Sequence, residues 1–133
     1  VKIIIAGIRT LTDYSIVCRA VEISGLKISM VVSGLDDEIE KRSVQGFRIR
    51  GVDALGVRWA KQHKIPFIVF PPNWNRYGKR AGPKRNREMA VYANGLIAIW
   101  NGRSDGTKDM IDAMYNKKKP IFVYSLSCDE QLV

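Results

Sequence analysis

Three turns of small residues follow apolar runs in this sequence, and each could bring backbone close to a negatively charged group. They are Ala6-Gly7-Ile8-Arg9-Thr10, Ser33-Gly34 and Trp100-Asn101-Gly102-Arg103-Ser104-Asp105-Gly106-Thr107. The third carries the strongest phosphate signal. Gly102 and Gly106 permit close backbone approach, Thr107 opens a helix whose unpaired N–H groups attract an anion, and the Ser104 and Thr107 hydroxyls add donors. The competing reading is a tight strand-to-helix turn that holds nothing. Neither the GxGxxG dinucleotide fingerprint nor the Walker lysine is present.

A block of cations supplies the second signal. Arg76, Lys79, Arg80, Lys84, Arg85 and Arg87 fall in a stretch without an acid. The chain has 22 basic and 13 acidic residues, a net charge of +9, so this block carries six of the nine units and leaves +3 elsewhere. So localised a field suits a nucleotide, a nucleic acid or a polyphosphate, against the alternative of a solvated helix face. Trp74, Tyr77 and Trp100 are candidates to stack a base, with core packing as the competing role for Trp100. Lys117-Lys118-Lys119 reads as a helix C-terminus, where cations meet free carbonyls.

Other chemistries find little support. Cys18 and Cys128 have no partner at metal-ligand spacing, and the single histidine, His63, sits in a polar helix-end context, so no metal site and no cofactor are expected. No stretch approaches a membrane span, and the first residues are too short for a signal-peptide core, so a cytoplasmic protein is expected. At 133 residues, with 46% hydrophobic and 26% charged, one globular domain is expected.

The elements that position these turns alternate. Apolar runs at 2–6, 28–32, 66–70, 96–100 and 120–124 predict five short strands, buried on both faces. Helices are predicted from Thr12-Asp13 to about Ser24, Asp53 to His63, Pro83 to Ala93 and Thr107 to Asn116. The expected fold is a single Rossmann-like α/β domain over residues 1–125, with a five-stranded parallel sheet, helices on both faces, an insertion at 35–49 after strand two, and a tail at 126–133. Ligands of such sheets bind outside the carboxyl ends of the strands, where strand order reverses.

Five segments together resemble a known family. Ala6-Gly7-Ile8-Arg9-Thr10, Val32-Ser33-Gly34, Arg50-Gly51-Val52-Asp53-Ala54-Leu55-Gly56, the block from Trp74 to Met89 and the block from Trp100 to Met110 look like the YspA/YpsA-related branch of the SLOG superfamily. That resemblance implies a Rossmann-like fold binding nucleotides or nucleotide-derived molecules at the strand ends. Relatives include nucleotide-signal sensors in bacterial defence, a DNA-processing protein that holds single strands, and phosphoribohydrolases acting on nucleoside monophosphates. Many members of the branch are encoded by phages and mobile elements.

Two departures stand out. Relatives carry Gly-Ser-Arg after strand one, and here the serine is Ile8, leaving Arg9 as the charged candidate. They pass from Ser-Gly to Arg-Gly-x-Asp in about two residues, whereas here Leu35 to Ile49 intervene at the expected mouth of the pocket. The insertion starts acidic and ends basic, and is read as a lid, a dimer contact or a neutral insertion.

The candidate ligand-binding residues are therefore Gly7, Arg9, Ser33, Gly34, Arg50, Asp53, Tyr77, Lys79, Arg85, Asn86, Gly102, Ser104, Gly106 and Thr107. The expected partner is a nucleotide-derived small molecule, of ADP-ribose or cyclic-nucleotide type, held in a sequestering or sensing role that could serve phage or mobile-element anti-defence. A chain with no effector domain favours sequestration. No catalytic residue is assigned, because the position where the hydrolase relatives place a glutamate is Met110, and Asp109 is expected to lie about 100° around the helix. Glu88 and Asp53 remain as carboxylates for a hydrolase alternative, Asp53 otherwise capping its helix or holding a ribose hydroxyl. The second alternative is single-stranded nucleic-acid binding. A homodimer is expected.

Overall fold

A computed structural model describes residues 1–35 and 51–126. The elements are β1 (Lys2–Gly7), α1 (Tyr14–Ser24), β2 (Met30–Ser33), α2 (Val52–Gln62), β3 (Phe67–Val69), α3 (Trp74–Tyr77), a 3-10 turn (Gly78–Arg80), α4 (Ala81–Tyr92), β4 (Gly95–Trp100), α5 (Asp105–Asn116) and β5 (Ile121–Ser125). All strand pairs are parallel, in the order β3-β2-β1-β4-β5. This is the Rossmann-like arrangement that the alternation of apolar runs and helices predicts.

Strand residues alternate between two cores because successive side chains point to opposite faces. Ile3, Ile5, Val31, Ile97 and Ile99 pack against α1 and α2, through Ile16, Val17, Ala20, Leu55 and Trp59. Ile4, Ala6, Val32, Leu96 and Ala98 pack against α4 and α5, through Met89, Ala90, Met110 and Met114. Burial on both faces explains why β1, β2 and β4 read as unbroken apolar runs, while the edge strands β3 and β5 are only partly buried.

Helix ends follow local chemistry. The Asp13 side chain accepts from the Ser15 backbone N–H at 3.0 Å to start α1, and Gly25 closes it in the left-handed region at φ 67°. Lys119 serves the end of a different helix from the one expected of its run. Its Nζ donates to the carbonyls of Ala90 at 2.7 Å, Val91 at 3.0 Å and Ala93 at 2.6 Å, capping α4.

Two expectations about extents need correction. Ser125 belongs to β5, and Leu126, assigned to the tail, is buried in the α1–α2 core with its N–H bonded to the Trp100 carbonyl at 2.9 Å. Residues 127–133 lie outside the described residues, as do Arg50, Cys128 and insertion residues 36–49. The stretch after Pro71-Pro72, where no strand or helix is predicted, forms α3, whose N-cap Asn73 accepts from the Arg76 N–H at 3.2 Å. Among the described residues no helix is long and apolar enough to cross a membrane, and no group of side chains could hold a metal ion.

Candidate functional site

The sheet order reverses between β1 and β4, and a cleft of ≈ 650 Å³ opens above the carboxyl ends of those two strands. Such a position is where open parallel sheets hold ligands, and the volume falls in the range of small-molecule sites. One wall is the turn after β1, from Ala6 to Thr10, joined by Asp53 of α2. Opposite it stands the start of α5, with Asn101, Ser104, Gly106, Thr107 and Asp109. Trp74, Gly82, Pro83, Arg85, Asn86 and Met89 line it from α3 and α4, and Met110 of α5 reaches it from the core.

Gly7 has a structural reason as well as a place in the lining. A Cβ there would collide with the Ile99 carbonyl oxygen and the Val52 side chain, so only glycine lets β1, β4 and α2 converge at the cleft floor. Arg9 follows it and is exposed.

Much of the turn before α5 is committed to holding its own shape. The Asn101 side-chain oxygen accepts from the N–H groups of Arg103 and Ser104, each at 2.9 Å. Ser104 is the N-cap, accepting from the Thr107 N–H at 3.4 Å and from the Thr107 hydroxyl at 3.1 Å, while Trp100 Nε1 donates to the Ser104 carbonyl at 3.1 Å. Of the cradle expected between Gly102 and Thr107, three backbone donors are thus used internally. The first-turn N–H groups of Asp105 and Gly106 are the ones directed by the helix start. Gly102, at φ 78°, shapes the turn and does not line the cleft.

Behind the cleft runs a polar chain. Arg85 donates from Nη1 to the carbonyls of Gly34 and Phe70, and from Nε to the Asn86 side-chain oxygen at 3.0 Å. Asn86, only 5% exposed, donates in turn to Asp109 at 2.9 Å and to the Gly106 carbonyl at 3.4 Å. Arg85 thereby clamps the ends of β2 and β3 to α4, a second role beside the expected ligand contact. A Cβ on Gly34 would run into its guanidinium.

Asp53 is half-buried in the first turn of α2 and does not cap it, since the N-cap is Gly51 at φ 93° with no side-chain cap. Burial pushes its carboxyl up to about 6, a rise that the nearby Arg85 and Arg9 charges limit.

Eight expected site residues therefore line the cleft together: Gly7, Arg9, Asp53, Arg85, Asn86, Ser104, Gly106 and Thr107. Gly34 borders a recess of only ≈ 20 Å³ with Gly7, Arg9, Asp53 and Arg85, about room for one water. Ser33 is fully buried and serves the fold, its hydroxyl donating to the Asp53 carbonyl and accepting from the Leu35 N–H, both at 3.2 Å. Tyr77 and Lys79 are not part of the lining. Tyr77 instead carries two cations on its ring, Arg76 at 5.2 Å and Lys84 at 4.7 Å from the centroid.

The basic block departs most from expectation. Arg85 is its only member in the cleft lining, whereas Arg76, Lys79, Arg80, Lys84 and Arg87 are exposed outside it. The signal that separates them is periodicity. Asn86, Met89, Ala90 and Ala93 are buried at i, i+3, i+4 and i+7, which turns Lys84, Arg87 and Glu88 to solvent. Glu88 pairs with Lys84 at 4.0 Å, outside the cleft lining.

Asn101, Asp105 and Asp109 line the cleft without having been among the expected ligand residues. Asp109 does not turn away. Met110 takes the core direction, 1% exposed, and its neighbour Asp109 faces Asn86.

A model of the YspA, cpYpsA-related SLOG family matches residues 1–77, from β1 through α3. The matched stretch contributes Gly7, Arg9, Asp53 and Trp74 to the cleft, and the facing wall comes from the part of the chain that follows. No curated protein and no solved structure matches the chain.

Proposed function

Because the chain belongs to the YspA, cpYpsA-related SLOG family, we propose that its cleft binds a nucleotide-derived ligand. The carrying observation is the position of that cleft, at the strand ends where the sheet order reverses, with Arg9 exposed on one wall and the α5 start on the other. In this reading Arg9 grips phosphate, the Asp105 and Gly106 N–H groups add to it, Asp53 holds ribose hydroxyls, and Trp74 stacks the base. Arg85 and Asn86 keep the floor rigid. The cleft volume admits a ligand of ADP-ribose or cyclic-nucleotide size, held in a sequestering or sensing role.

Binding without turnover is favoured by Met110, which puts an apolar side chain between core and cleft where the hydrolase relatives carry glutamate. One observation favours the hydrolase alternative: Asp53, with its carboxyl pushed up to about 6, and Asp109 both line the cleft. Those two, and not Glu88, are its candidate acids.

The test is mass spectrometry of small molecules released from the heated protein and from Arg9→Ala. A nucleotide-derived compound on the first and absent from the second supports binding. Free base appearing from added nucleoside monophosphates, lost in Asp53→Asn, would move the hydrolase to first place.

A further inference from the structure

Most of the positive charge of α3 and α4 lies on the surface beside the cleft and not in its lining. Among the described residues three carboxylates, Asp53, Asp105 and Asp109, line it against two guanidiniums, Arg9 and Arg85. Outside, Arg76, Lys79, Arg80, Lys84 and Arg87 are all exposed, and Glu88 is the one acid between Trp74 and Tyr92. Trp74 joins the two regions. It is 40% exposed, lines the cleft, and packs beside Gly82 at the start of α4.

The cations lie close together. Arg76 and Lys84 share the Tyr77 ring, Lys79 and Arg80 occupy the short turn between them in sequence, and Arg87 follows Lys84 on the same face of α4 about 4.5 Å further along its axis. An anion of one or two phosphates seated at Arg9 leaves this surface unused. A chain of phosphates leaving the cleft past Trp74 would meet it.

We infer that the nucleotide unit in the cleft is the terminal nucleotide of a single nucleic-acid strand, whose backbone runs past Trp74 over the basic surface of α3 and α4. The inference rests on the nucleotide reading of the cleft. A concave site lipped by an indole admits an unpaired end, with its base free to stack, and excludes a base-paired one. A backbone-tracking surface carries no base readout, so recognition depends on the end and the strand and not on sequence.

The experiment is fluorescence anisotropy with internally labelled oligothymidylate and oligouridylate strands of about twelve residues, competed by nucleoside monophosphates and by a circularised strand. With about four phosphates contacted, strand affinity should fall about 50-fold between 50 and 200 mM salt, against about 3-fold for a monophosphate. The pair Lys79→Ser and Arg80→Ser, both on the exposed turn, should weaken strands about tenfold and leave monophosphate binding unchanged. Arg9→Ala should weaken both. The circular strand should bind about tenfold more weakly than the linear one, and the ribose and deoxyribose strands identify which nucleic acid is preferred.

Monophosphates bound as tightly as strands, with no effect of the turn variants, would overturn this inference and leave the cleft reading standing. A circular strand bound as well as a linear one would overturn end capture, with monophosphate binding reporting on the cleft reading separately. Strands left unbound would overturn the inference whether or not monophosphates bind.

Discussion

The Asn86 side-chain amide donates to the Asp109 carboxylate at 2.9 Å, tying α4 to α5 beneath the cleft. The same amide accepts from Arg85, so one buried side chain holds both a cation and an anion in place.

Asn86→Ala should cost about 2–3 kcal/mol, because it strands a guanidinium donor and removes a partner of a carboxylate in a partly buried setting. Urea unfolding measures it. A loss below about 0.5 kcal/mol would mean that water replaces the amide freely.

Asp53 should make stability fall as the medium turns from acid to neutral. Its carboxyl titrates near 3.8 when unfolded and about 6 when folded, so the native state holds the proton more tightly. That stability is complete below about pH 4 and lost as pH rises through about 6. Asp53→Asn removes the ionisation, and should melt above the parent at pH 7.5, by up to about 2–3 kcal/mol in stability, with the gain vanishing near pH 4. Thermal melts across that range check the sign.

Lys119→Ala should cost about 1–2 kcal/mol, since three carbonyls at the end of α4 lose a charged donor. Lys117→Ala should change stability by less than about 0.5 kcal/mol. Equal losses from both would show that the lysine run acts by bulk charge, and not through one capping side chain.

The middle of the sheet was legible because β1, β2 and β4 are buried on both faces, and unbroken runs such as Ile3-Ile4-Ile5 and Leu96-Ile97-Ala98-Ile99 admit few other readings. The lining of the cleft was legible where a turn follows a strand directly, at Gly7, Arg9, Ser104, Gly106 and Thr107. It was not legible where helix phase decides. Beginning α4 at Pro83 treats proline as the first helical residue, but the helix begins at Ala81 with Pro83 still inside its first turn. The charge count alone could not tell Arg85, turned inward, from Lys84 and Arg87, turned outward. Asp109, expected to turn away about 100° around the helix, lines the cleft because Asn86 on another helix holds it there, a pairing that no local spacing encodes.

The central claim is that the cleft between β1 and β4 binds a nucleotide unit through Arg9. Its most direct test is isothermal titration of nucleoside monophosphates and ADP-ribose into the protein and into Arg9→Ala, an exposed change that leaves the core untouched. The account predicts saturable binding by the parent with at least one of these ligands, weakened about tenfold or more in the variant. Binding of equal strength in both, or heat from neither, would contradict it.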